Sequence, residues 1–172
     1  MTAKLTALEF LQRQIDGTLP ADASCDLKYP TAISQLLGFR IASIDKGYAC
    51  LEMDADAAIH GNQQGTVHGG LLSELADAAI GTAHSTLVEE GESFTSIDLR
   101  INFFRPVWKS MLTATARAVR QGRTISHYQC EIVGDGAKLV ALASGTIMPL
   151  RDSAAKGWGH SADLPPTIRT RP

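Results

Sequence analysis

Between Gly70 and Thr86 the chain runs without a break through mostly small and apolar residues, and no other segment limits the fold as much. Leu71, Leu72, Leu75, Ala76, Ala79, Ile80 and Ala83 cover most of a helix's circumference, so this helix has to be surrounded rather than laid on a surface. Its remaining stripe is Ser73, Asp77, Gly81 and His84, spaced to share one face. A carboxylate in such a helix requires solvent, an ion pair or chemistry to account for it.

The flanking sequence supplies something to surround it. "GFRIASID" and "GYACLEMD" read as two strands about a Lys46-Gly47 turn. Beyond the helix, Thr95, Ile97, Leu99, Ile101 and Phe103 alternate with Ser96, Asp98, Arg100 and Asn102 until Pro106 stops the strand. "MLTATARAVR", "TISHYQCEIV" and "KLVALASGTIMPL" follow, separated by turns at Gln121-Gly122-Arg123 and Gly134-Asp135-Gly136. Leu5, Leu8, Leu11 and Ile15 form an earlier helical stripe closed by Gly17. An antiparallel sheet with one apolar face must cover it, and the 70–86 helix is the element apolar enough to do so. The expected fold is α+β, with an antiparallel sheet wrapped around one long central helix. Residues 1–34 would be an N-terminal helix and connector, 35–150 the core domain, and 151–172, rich in proline and without periodicity, an extended or disordered arm.

Composition narrows the function classes. At 172 residues the chain suits one domain and needs no disulfide or metal to hold it. A formal net charge of −2 leaves no basic footprint for nucleic acid. No apolar run approaches the roughly 20 residues of a membrane span, and charges interrupt the N-terminal apolar pattern, unlike a signal peptide. Cys25, Cys50 and Cys130 lack metal spacing and read as reduced core thiols, hence a cytoplasmic protein.

Chemistry gathers at the start of the central helix. His68-Gly69-Gly70 opens it, so its first N–H groups carry the positive end of the helix dipole, where glycine admits close approach. A polar cluster, His60, Asn62, Gln63, Gln64 and His68, lies just upstream in a long glycine-bearing loop. From Gly69 to Asp77 the helix rises about 12 Å, too far for both to touch one carbonyl from a single chain. Either Asp77 has no part in the glycine site, or two chains pair to bring one of each together.

The spaced pattern Asn62-x-x-Gly65-x-x-His68-Gly69-Gly70, with "LADAA" placing Asp77 nine residues after the histidine, resembles the hot-dog-fold acyl-CoA thioesterases. The 96–106 strand and the Gly122-Arg123 turn are similar to that family too, over roughly residues 35 to 150. The phenylacetate-degradation and hydroxybenzoyl-CoA branch is the nearest type. The resemblance implies hydrolysis of an aryl-acyl or medium-chain acyl-CoA, with coenzyme A as part of the substrate and neither cofactor nor metal. It implies Asp77 as nucleophile or general base and Gly69 N–H as the carbonyl's partner. Asn62 would orient water or thioester, His68 would brace the loop, and Ser96 would sit near Asp77, with Thr95 as its rival hydroxyl. Gly70 would line the substrate site, and Arg105 and Arg123 are candidates for the phosphates beside Arg100, Lys109 and Arg120. Glu74 is a rival acid, whereas His84 reads as a helix-surface side chain and His127 as structural. The family builds its site across a homodimer, here a dimer or a tetramer. Other readings are a hot-dog hydratase or dehydratase, which needs a histidine base, and a non-catalytic acyl-CoA-binding protein, which would not need Asp77.

Overall fold

The computed structural model describes residues 4–151; the 152–172 part of the expected C-terminal arm lies outside them. Helix α1 (Ala7–Ile15) is fixed at its start by a capping box, Thr6 accepting from the Glu9 N–H while Glu9 accepts from Thr6. A second helix, α2 (Ala32–Leu37), was not expected. Thr31 caps its start, and Gly38 ends it in the left-handed conformation at φ 73°. Gly38 therefore punctuates a helix, and strand β1 (Arg40–Asp45) begins two residues later than the hairpin pattern suggests.

β1 pairs antiparallel with β2 (Tyr48–Asp56), Asp45 opposite Tyr48. The long loop that follows holds one helical turn, α3 (Ala57–His60), capped by Asp56, whose Oδ1 accepts from Ala58 N–H. Central helix α4 (Gly69–Ser85) follows, then β3 (Ser93–Phe103), β4 (Lys109–Arg120), β5 (Ser126–Gly134) and β6 (Lys138–Leu150). The six strands form one antiparallel sheet in the order β1-β2-β4-β5-β6-β3. α4 touches β2, β4, β5, β6 and β3, so the sheet curls around it as expected of the hot-dog arrangement. Leu75 and Ile80 are fully buried there, each contributing about 1.5–3 kcal/mol. Ala76, Ala79 and Ala83 let the helix approach closely. At Gly145 on β6 a Cβ would lie 3.0 Å from Ile80 Cδ1, so the absent side chain is the space Ile80 occupies.

Two expectations are corrected. His84 is buried, with 4% of its surface exposed, because the last turn of α4 is enclosed, Ala83 and Ser85 being buried on either side of it. Its Nδ1 is hydrogen-bonded to the Tyr128 hydroxyl at 2.8 Å, and its ring meets Phe94 edge-on. Burial holds the imidazole down to about 4. The alternation of β3 is also broken. Ser96 pairs with Ile147 and Asp98 with Thr146, leaving Ile97 as an extra, bulged residue. Directly opposed residues of an antiparallel pair share a face. Ser96 therefore lies on the helix side with Leu99 and Ile101, while Ile97 is exposed.

Candidate active site

The bulge brings Ser96 to α4. Its Oγ donates to Asp77 Oδ1 at 3.0 Å. Thr95, one residue earlier, belongs to the opposite face of the strand and donates only to the Ser96 carbonyl, at 3.4 Å. Asp77 and Ser96 line two hollows at once. The smaller, about 410 Å³, lies between α4 and β3 and includes Gly70, Glu74 and Asp98. The larger, about 890 Å³, runs beneath α1, α2 and the connector between them. Glu74 shares both hollows with Asp77, and its carboxyl is pushed up by burial and by the neighbouring Asp77 charge.

The start of α4 is organised by His68. As N-cap, its Nδ1 accepts from the Gly70 N–H at 2.8 Å. Gly70 N–H is thereby spent. Gly69 N–H, at the first helical position, has no acceptor among the described residues and is the donor left to meet an incoming oxygen. The Phe103 ring lies directly over Gly69, where a Cβ would come within 3.0 Å of it.

Asn62 folds its own loop. Its Oδ1 accepts from Gln64 N–H at 2.9 Å and Thr66 N–H at 3.2 Å, and its Nδ2 donates to Thr66 Oγ1. His60 Nδ1 accepts from Asp56 N–H, and His68 N–H donates to the His60 carbonyl. The loop, although mostly exposed, is thus tied together by its own hydrogen bonds. It does not bring Asn62 to Asp77 within one chain: Asn62 lines neither hollow. Arg105 and Arg123 are exposed, on the β3–β4 and β4–β5 connections. Lys109 is occupied by Asp56 at 2.9 Å, and His127 Nδ1 is hydrogen-bonded to Thr146.

The walls of the larger hollow are the part of the site that residue patterning misses. Phe94, Gly81 and Thr82 contribute, as do Tyr29, Thr31 and Ile33 of the N-terminal segment. Gly81 alone gave a signal, a glycine inside a helix stripe.

A family model described as the thioesterase superfamily matches residues 64–141. The acyl-coenzyme A thioesterase PaaI of Escherichia coli is 36% identical over 115 residues, 66% of this chain and 79% of that protein. The medium/long-chain acyl-CoA thioesterase YigI of Salmonella typhimurium is 26% identical over 134 residues, 70% of this chain and 86% of that one. Among solved structures, the E. coli PaaI protein from the phenylacetic acid degradation operon superposes with a TM-score of 0.66 at 30% identity. That match covers 83% of this chain and 92% of that chain. A carboxylate of the wrapped central helix paired with a hydroxyl of β3, a helix-start N–H with no acceptor among the described residues and these likenesses agree: the chain belongs to the thioesterase superfamily, with the hot-dog fold.

Proposed function

We propose that the protein hydrolyses the thioester of an aryl-acyl or medium-chain acyl-CoA to free acid and coenzyme A, in a site shared by two copies of the chain. One observation carries the reading: Asp77 is held by the Ser96 hydroxyl at 3.0 Å where two hollows meet. The larger hollow, about 890 Å³, has room for an acyl group. Water adds to the thioester carbonyl carbon, the C–S bond breaks and the coenzyme A thiol leaves with a proton. Asp77 either takes the water's proton or attacks first, giving a mixed anhydride that water then opens. Gly69 N–H and the dipole behind it meet the carbonyl oxygen. His68 keeps that donor in place by tying up Gly70 N–H.

Asn62 and its braced loop come from the copy that supplies Gly69, and Arg105 and Arg123 meet the phosphates. The pairing rests on the 12 Å rise from Gly69 to Asp77 and on the outer edge of β3, which among the described residues has β6 as its one neighbour in the sheet. Ile97, Phe103 and Phe104 are exposed along or next to that edge, an arrangement that invites a second chain. A homodimer, or a tetramer of two such dimers, follows. Coenzyme A arrives with the substrate, no cofactor is used, and the reduced thiols suit the cytoplasm. A hydratase would need a histidine base at His68, whose Nδ1 already accepts from Gly70 N–H.

The test is hydrolysis by wild type and Asp77→Asn across acetyl-, phenylacetyl-, benzoyl- and octanoyl-CoA, reading released thiol. A loss of about 10²-fold or more with assembly intact is expected. Equal rates, or no turnover of any thioester by wild type, would overturn the assignment. Single turnover in labelled water, with mass analysis of the Asp77 peptide, separates the two routes.

A further inference from the structure

The larger hollow does not stop at the reactive pair. On α4 it continues from Asp77 past Ala78 and Gly81 to Thr82, a rise of about 7.5 Å beyond the carboxylate. It then passes under the N-terminal segment, where Leu11, Ile15 and Ile33 face it. A cavity of about 150 Å³ holds a benzene ring, so an aryl-acyl group would leave most of the 890 Å³ unfilled. Gly81 lines this path one turn beyond Asp77. Glycine inside a helix is disfavoured relative to alanine, and here close packing on the sheet does not demand it. A Cβ would meet Phe94 Cε2 at 3.8 Å, ordinary contact, and nothing nearer. What the missing side chain provides is open volume.

We propose that this cavity receives the acyl group as a long, flexible aliphatic chain, and that Gly81 keeps open the passage to the space beneath α1 and α2. The inference rests on the thioesterase reading of the Asp77–Ser96 site. The N-terminal helices, outside the segment matched by the family model, thereby set the length of chain accepted. Each methylene that leaves water strengthens binding about three- to fourfold, so preference should climb with length until the tail meets Ile15 and Ile33.

The experiment compares kcat/KM for butanoyl-, octanoyl-, dodecanoyl-, hexadecanoyl- and phenylacetyl-CoA in wild type, Gly81→Leu and Ile33→Trp. Circular dichroism and the melting temperature of each variant report its folding. These plugs enter from opposite walls, so misfolding of one leaves the other informative. Wild type should favour dodecanoyl over butanoyl and phenylacetyl, and each plug should lower the dodecanoyl-to-butanoyl ratio about tenfold or more. A wild type that hydrolyses thioesters but favours phenylacetyl or butanoyl overturns the proposal and leaves the thioesterase reading standing. So does an unchanged ratio in both plugged variants. If no thioester is hydrolysed, it is the thioesterase reading that fails.

Discussion

Acid should weaken this fold through one buried imidazole. An unfolded histidine titrates near 6.5, whereas His84 is held down to about 4 by burial against Phe94 and Tyr128. Between those values the unfolded chain binds a proton that the folded chain refuses, so stability increases with pH across the window and falls on acidification. The whole gap is worth about 3 kcal/mol, and going from pH 7.5 to pH 5 removes roughly 2 kcal/mol of it. For a chain of this size that lowers Tm by about 4–8 °C. Glu74, pushed up, works in the opposite sense just above the ordinary carboxylate range. Asp26 and Asp56, held down by Lys4 and Lys109, matter at lower pH. All three are common to wild type and His84→Gln, so the difference between the two proteins isolates the imidazole. The assay is urea unfolding followed by circular dichroism at both pH values. Equal losses in wild type and His84→Gln would refute the reasoning.

The bulge at Ile97 brings the hydroxyl of Ser96, not that of Thr95, to Asp77. Ser96→Ala removes a hydrogen bond to a charged group, worth about 1.5 kcal/mol at the low end, and should cut kcat/KM about tenfold. Thr95→Ala should cost much less, and the reverse order in steady-state kinetics would count against the register described. Phe104→Asp places a charge beside the open β3 edge. It should lower the mass found by sedimentation and abolish hydrolysis in step, and full activity in a monomer would disprove the shared site.

Much of the fold was legible in the residues. The α4 segment and all six strands were placed within a few positions, because burial on one or both faces leaves a periodic trace. Short helices leave none. α2 and α3 together carry no fully buried residue, and their ends are set by Thr31, Gly38 and Asp56, which read equally well as turn formers. His84 was misplaced because its stripe-mates Ser73, Asp77 and Gly81 are polar or small. That stripe faces hollows and, at its far end, the ring of Phe94. The candidate carboxylate, the glycine donor and the histidine cap could all be named from spacing. The acyl cavity could not, since it exists only where a segment near the N-terminus crosses a helix more than forty positions later in sequence.

The extra residue in β3 has a consequence for parity. Counting by twos from Phe103 through Ile101 and Leu99 lands on Ile97, and by that count Ser96 belongs outside. A single inserted position resets the count, so the strand obeys one phase through Leu99 and Ile101 and another where Ser96 meets Asp77. The two stretches can then vary independently. A chain carrying the same strand without the extra residue would need an offset of one across Ile97 for its helix-facing positions to match these.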